Sequence, residues 1–289
     1  MKRFHFLAGL PRSGSTVLSS VLSQNPTLYA SPNSALVELL VNVRNHLRVT
    51  EQARAFMQPG QEKDVLLAIM EGMYHFTDAQ YVVDKSRAWP HPDNIKLLID
   101  ILPEEPKFVA AVRDLPAVLA SFIVLIEAHP EAQSFVDREL AKRGLPFTTE
   151  NRCEFLFSPG GTVWEAWYSL KMAFDAGYGR LFHIVEYDEL TAQPEKVIEG
   201  IYNFIGIPPY KHDLAAITNK TPEDDRVYNL PGMHDVRPGL KKTSKDPVAV
   251  LGPELAARYA SVPHFWRETQ SKTLGRNPFK LGGTYDPSL

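Results

Sequence analysis

Short apolar runs alternate with longer segments of helical periodicity along most of this chain. Residues 4–8 form an apolar run of strand length, and residues 81–84, 108–112 and 181–185 form three more. Each run is followed by a segment in which apolar residues recur every three to four positions. Alternating strands and helices are typical of a parallel sheet covered on both faces. We therefore predict an α/β fold of three layers, with a central, mostly parallel sheet flanked by helices.

Weaker patterns fill the remaining chain. Residues 28–30 are predicted to form a short strand, residues 51–78 one or two helices, and residues 207–250 a loop-rich segment. Further helices are predicted over 35–48, 93–102, 131–143, 163–177, 194–205 and 253–272, and one that opens at Pro116.

The turn after the first strand has the spacing of a phosphate-binding loop. Residues 9–16 read GLPRSGST and fit the template G-x-x-x-x-G-K-[ST], except that Ser15 stands where the lysine would be. In this arrangement, free backbone N–H groups and the positive end of the helix dipole point at one spot. The pattern favours a P-loop type of nucleotide-binding fold in which Arg12 is the one cation of the loop. The alternative is an ordinary tight turn between strand and helix.

Polar side chains follow four of the predicted strands. They are Arg12, Lys85, Arg113 and Tyr187. Because parallel sheets bind ligands at the carboxyl ends of their strands, we expect these side chains to surround one site. A solvated or snorkelling lysine is the alternative interpretation of Lys85.

Composition narrows the class of protein without naming it. Of 289 residues, 44% are hydrophobic and 22% charged, as in ordinary globular proteins, and the net charge of −3 gives no reason to bind nucleic acid. The single cysteine, Cys153, excludes an internal disulfide and a cysteine zinc cluster. No apolar run approaches the ~20 residues of a membrane helix, and no signal segment precedes the first strand. We expect a cytoplasmic protein.

Three segments resemble one enzyme family. GLPRSGSTVLSSVL, residues 9–22, resembles the 5′-phosphosulfate loop of sulfotransferases that use 3′-phosphoadenosine-5′-phosphosulfate (PAPS), especially the tyrosylprotein and bacterial branch. FVAAVRDLPAVLASFI, residues 108–123, is similar to the 3′-phosphate motif of that family. VEYDELTAQPEKVIEGIYNFIGIP, residues 185–208, resembles the stretch whose tyrosine lies against the adenine.

The resemblance implies sulfuryl transfer from PAPS to an acceptor hydroxyl or amine, with adenosine 3′,5′-bisphosphate (PAP) as product and no metal. A sulfuryl group carries less charge than a phosphoryl group, so its transfer does not need the missing lysine. The implied catalytic residues are Arg12, Lys85 and a base. The implied nucleotide-binding residues are Arg12, Ser13, Gly14, Ser15, Thr16, Arg113, Ser121, Tyr187 and Arg237.

The general base is the weakest part of the resemblance. The glutamate of tyrosylprotein sulfotransferases would fall near Pro32 or Asn33, neither of which is a base. Glu38, slightly later, is similar in placement to the base of the glycan N-sulfotransferase branch and is our prediction. The alternative is a glutamate on a solvated helix face or one paired with Arg44 or Lys85. His46 and His91 are weaker candidates.

We expect one domain over residues 1–289. Its core sheet and nucleotide site would occupy about 3–30, 80–125 and 178–210, with acceptor-side insertions at about 31–78 and 126–160. A basic loop and a helix at 225–275 would complete it. Arg237 would close over the nucleotide from this loop, or the loop is simply a solvated basic segment.

Two other functions fit the same motifs. A P-loop kinase or NTPase with a displaced lysine would need Mg²⁺ and a strand-end carboxylate, for which Asp84 and Asp114 are the candidates. A non-catalytic relative would keep the nucleotide site and lack the base. The acceptor, a small alcohol, lipid, sugar or peptide, and the oligomeric state are left open by the sequence.

Overall fold

The computed structural model describes residues 2–242 and 245–267. One sheet of five strands lies at its centre, in the order β2-β3-β1-β4-β5, and all four pairings are parallel. The strands are β1 (Arg3–Gly9), β2 (Leu28–Asn33), β3 (Tyr81–Lys85), β4 (Phe108–Val112) and β5 (Phe182–Glu186).

Helices connect the strands and follow the last one. They are α1 (Ser15–Leu22), α2 (Leu36–Val49), α3 (Glu51–Phe56), α4 (Gln61–Met73), α5 (Pro92–Ile101), α6 (Leu115–Glu127), α7 (Phe135–Lys142), α8 (Thr149–Leu156), α9 (Thr162–Asp175), α10 (Tyr187–Ala192), α11 (Pro194–Ile205), α12 (Pro247–Leu251) and α13 (Pro253–Ala260). Among the described residues, none of these helices combines the length and the apolarity that crossing a membrane requires.

The two faces of the sheet are buried in two separate apolar clusters. Phe4, Phe6 and Ala8 of β1 join the larger cluster, which includes residues of α2, α4, α5, α6 and α9. Leu7 joins the smaller cluster, in which α1 and α11 cover the opposite face. Alternate residues of a strand point to opposite faces, so this division confirms the predicted three-layer α/β arrangement with helices on both sides.

The weaker sequence patterns predicted the bounds of some strands and helices incorrectly. β2 continues to Asn33, where its register against β3 shifts. α8 lies between the helices predicted over 131–143 and 163–177, where no helix was predicted. The last helix was predicted to run to residue 272, but α13 ends at Ala260, because Pro263 lacks the N–H of a helix interior and restricts the residue before it. The predicted part beyond residue 267 lies outside the described residues. The division into core segments and acceptor-side insertions stays a prediction.

A buried histidine makes the stability of the fold depend on pH. His5 of β1 is 4% exposed, and neither ring nitrogen has a hydrogen-bond partner. Burial lowers its pKa from 6.5 to about 4, and Lys107 and Arg3 add to the shift. Between these values the unfolded chain binds more protons than the native one, so stability falls as the pH falls.

We expect the His5 site to cost about 2 kcal/mol of unfolding free energy on going from pH 7 to pH 5. In His5→Leu, urea denaturation should show that much less loss over the same interval. His75→Gln, which removes an exposed histidine, should behave as the unmodified protein does. An unchanged acid dependence in His5→Leu would contradict the assignment.

Candidate active site

A cavity of about 910 Å³ opens at the carboxyl edge of the sheet. Its lining includes Arg12, Lys85, Arg113 and Tyr187, which follow or end β1, β3, β4 and β5. The four polar side chains singled out at strand ends in the sequence thus surround one cavity. A single elongated ligand could therefore reach all of them.

The loop after β1 is fixed by two glycines. Gly9 has φ +117°, and a Cβ at this position would lie 1.9 Å from the carbonyl oxygen of Ala111 in β4. Gly14 has φ +89° and caps α1. The hydroxyl of Ser13 is buried and donates to the carbonyl oxygens of Leu10 and Ala111, so it holds the loop against β4. Gly14, Ser15 and Thr16 line the cavity at the N-terminus of α1, where backbone N–H groups favour an anion.

Arg12 and Arg113 form a cationic pair beside this loop. Arg12 has φ +60°, and its Nε donates to Oγ of Ser121 at 3.2 Å while Nη1 donates to the carbonyl of Met233. Nη1 of Arg113 donates to the backbone carbonyl of Arg12 at 3.1 Å. The guanidinium of Arg113 lies 4.2 Å from the ring centroid of Tyr187. The motif that resembles a 3′-phosphate site therefore touches the glycine loop directly.

The electrostatics of this pair favour anionic ligands. Burial lowers the pKa of Arg12, and the neighbouring Arg113 lowers it further. Burial also lowers the pKa of Arg113. Among the described residues, neither guanidinium has a carboxylate within salt-bridge distance. Since a guanidinium stays charged, two such groups side by side suit a ligand with phosphate groups, which they can bind through paired hydrogen bonds.

Basic residues of the C-terminal loop stand at the mouth of the cavity. Arg237 is exposed and lines it, as do Lys241 and Lys245. Lys242 instead pairs with Asp188 at 2.8 Å. The loop thus adds positive charge to the lining of the cavity, and the contact between Arg237 and a nucleotide stays a prediction.

Lys85 is buried in an ion pair that the sequence did not indicate. Its Nζ lies 2.9 Å from Oε1 of Glu223, and their side chains are 4% and 9% exposed. Burial lowers the pKa of Lys85, against the attraction of Glu223. Burial raises the pKa of Glu223, but Lys85 and His234 outweigh it and the net shift is downward. An ammonium has three N–H donors, so Lys85 keeps two for a ligand in the cavity.

A histidine and an aspartate of the same C-terminal segment lie beside this ion pair. Nδ1 of His234 lies 2.5 Å from Oδ1 of Asp225, and Nε2 lies 3.2 Å from Nδ2 of Asn33. The carboxylate can only accept, which assigns the hydrogen to Nδ1, and the Asn33 amide donates to Nε2. His234 lines the cavity, so its basic nitrogen lies next to Lys85 and Glu223. The arrangement is that of a general base held by an acceptor behind it.

Glu38, the base predicted from the sequence, lies elsewhere. It is exposed in the first turn of α2 and is not part of the cavity lining. Among the described residues it forms no ion pair with Arg44, which binds Glu62 and Asp100, nor with Lys85. Of the weaker candidates, His91 caps α5 and His46 contacts Thr50. The role of Glu38 stays a prediction, and the geometry makes His234 a nearer candidate.

The two carboxylates that a kinase would need are engaged by other groups. Asp84 is buried and accepts hydrogen bonds from Ser34, Tyr74 and Nε1 of Trp89. Asp114 pairs with Arg267 at 2.8 Å. Within residues 2–242 and 245–267, no cluster of three or more His, Cys, Asp or Glu side chains could hold a metal ion. Asp84 thus supports the local fold, and is not the polar partner of Lys85.

The chain has a P-loop-like α/β fold, and a glycine loop and two neighbouring arginines line the cavity at the edge of its sheet. The chain belongs to the sulfotransferase family, whose sequence profile matches residues 5–212. Curated protein sequences give no significant match.

Solved structures of sulfotransferases are similar to this chain. The sulfotransferase domain from the curacin biosynthetic pathway is 15% identical, with a TM-score of 0.50 over 96% of this chain and 99% of that chain. The domain from the Synechococcus PCC 7002 olefin synthase is 18% identical, with a TM-score of 0.41 over 96% and 95%. Mouse sulfotransferase SULT7A1, in a complex with PAP, is 13% identical, with a TM-score of 0.44 over 73% and 61%.

Proposed function

We propose that this protein transfers a sulfuryl group from PAPS to an acceptor hydroxyl or amine. The observation that carries the proposal is the contact between the glycine loop and the Arg113 motif at one cavity that Lys85 also lines. A nucleotide with phosphates at both its 5′ and 3′ positions would put one phosphate at the loop and the other at Arg113. The one buried cysteine, Cys153, is in keeping with a cytoplasmic location.

Different groups of residues bind different parts of the nucleotide. Backbone N–H groups from Ser13 to Thr16 hold the 5′-phosphate at the start of α1. Arg113 and Ser121 hold the 3′-phosphate, and Tyr187, already stacked on Arg113, supports the adenine. Arg237 closes the site from the basic loop. PAPS, when bound, supplies an activated sulfuryl group whose bond to the 5′-phosphate oxygen is to be broken.

Lys85, Arg12 and His234 carry the chemical step. Nε2 of His234, released from its hydrogen bond with the Asn33 amide, takes the proton from the acceptor as the oxygen or nitrogen of the acceptor bonds to sulfur. Asp225 stabilises the imidazolium that results. Lys85 and Arg12 donate to the oxygen that receives the electron pair of the breaking bond and to the sulfuryl oxygens. Fixed hydrogen-bond donors therefore stabilise the negative charge that develops during transfer, and the proposed mechanism uses no metal.

Nucleotide preference tests the proposal. We expect PAP at one hundred times its Kd to stabilise the protein by about 3 kcal/mol, a rise in Tm of several degrees. ATP with Mg²⁺ should produce a much smaller shift. Arg113→Met should weaken PAP by about 10- to 100-fold and leave AMP, which lacks the 3′-phosphate, nearly unchanged. Stronger stabilisation by ATP with Mg²⁺ than by PAP would overturn the proposal and favour a kinase or NTPase.

A further inference from the structure

Arg87 is a charged residue of the cavity that takes no part in the nucleotide contacts proposed above. It follows Lys85 by two positions and lines the same cavity. Its Nη1 donates to Oγ1 of Thr162, the first residue of α9, at 2.9 Å. Across the described ranges, that is its one hydrogen bond, and no carboxylate lies within salt-bridge distance of it. The rest of the guanidinium is free to bind a ligand.

The surroundings of Arg87 make this lack of a partner costly. Arg87 is partly buried, which lowers its pKa, and Lys85 is near enough for the two cations to repel each other. Glu223 attracts Arg87 from a distance but is bound to Lys85. Arginine does not escape this cost by losing its proton, because its intrinsic pKa is too high. A guanidinium that is largely withdrawn from water is normally paired, as the partly buried Arg152 is with Asp137 in this chain.

The position of Arg87 in the sheet separates it from the nucleotide. The phosphate loop follows β1, and Arg113 follows β4 on one side of that strand. Arg87 follows β3 on the other side, beyond Lys85. A nucleotide that runs from Arg113 to the loop therefore ends with its reacting group towards Lys85, and the space at Arg87 is left for the acceptor.

We propose that Arg87 binds a carboxylate of the acceptor, so that the acceptor class is a hydroxylated or aminated carboxylic acid. The inference rests on the proposed sulfotransferase function and names its substrate class. The planar fork of a guanidinium matches a carboxylate through two parallel hydrogen bonds. With the carboxylate at Arg87, the nucleophilic group of the acceptor faces His234 and Lys85.

The test uses acceptors in matched pairs on the PAP-loaded protein. 3-Hydroxybutyrate, 3-hydroxydecanoate and 4-hydroxyphenylacetate are each compared with their methyl esters, by equilibrium binding with PAP and by sulfate transfer from labelled PAPS. At least one acid should bind about 10- to 100-fold more tightly than its ester, the range expected for hydrogen bonds to a charged group. Arg87→Met should abolish this preference and leave PAP affinity unchanged, and Arg87→Lys should retain part of it.

The controls separate the two proposals. Arg54→Met removes an exposed arginine outside the cavity and should keep the preference of the unmodified protein. If PAP binds but no acid is favoured over its ester, the carboxylate site is wrong and the sulfotransferase proposal stands. If Arg87→Met lowers transfer to acids and esters equally, Arg87 serves the sulfuryl group and the inference is again overturned. Failure of PAP to bind would refute the proposed function itself.

Discussion

Lys85→Met should lower kcat for sulfate transfer by on the order of 10²–10³, while the Kd for PAP changes little. The expected loss is large because the ammonium is buried and fixed by Glu223, and because the proposed mechanism has it donate where negative charge develops. In water such a donor would be worth little, but at a buried position its field is less screened. Single-turnover transfer from labelled PAPS measures the chemical step apart from product release.

Stability has to be controlled in this experiment, because Lys85→Met leaves Glu223 buried without its partner. Breaking a buried ion pair costs about 3–5 kcal/mol, so the single variant is expected to be less stable. Lys85→Met combined with Glu223→Gln removes both charges and should recover much of that stability without recovering kcat. Lys63→Met, at an exposed site on α4, is the matched control. Normal kcat in the stabilised double variant would remove Lys85 from the mechanism.

Local patterns in the sequence were sufficient for the sheet and for the strand-end residues that line the cavity. The apolar run of β1 and the glycines at 9 and 14 predicted a strand, a turn and a helix start, because each depends on neighbours within a few positions. Arg113 could be assigned to the same site, since the carboxyl ends of parallel strands meet at one edge. The sheet, its flanking helices and the family were confirmed.

The polar cluster around His234 could not be predicted in the same way. Glu223, Asp225 and His234 lie in a loop-rich segment without periodicity, and Glu223 meets Lys85 across 138 positions of chain. Which charge of a loop reaches a strand end depends on the path of the whole segment, and no short pattern encodes that path. A histidine with two acidic residues nearby in the sequence was the available signal. This signal could be interpreted only once the structure showed the hydrogen bond between His234 and Asp225.

His234 lines the cavity and Glu38 does not, so the second large loss of kcat is expected at His234. His234→Asn should lower kcat by on the order of 10²–10³, because the acceptor loses the group that takes its proton. The amide keeps the approximate size of the ring and can still hydrogen bond, so PAP affinity should be unchanged. Asp225→Asn should reduce kcat by a smaller factor, since an amide can donate to Nδ1 and thereby favour the wrong tautomer.

Three measurements on one variant distinguish a proton acceptor from a residue that only supports the loop. A proton acceptor predicts that His234→Asn lowers kcat while the Kd for PAP and the free energy of unfolding change little, whereas loss of loop support would change all three. Glu38→Gln is the matched comparison and should leave kcat intact, because Glu38 is exposed and outside the cavity lining. The reverse result, a large loss in Glu38→Gln and a small one in His234→Asn, would assign the proton transfer to Glu38 and require α2 to approach the cavity when the acceptor binds.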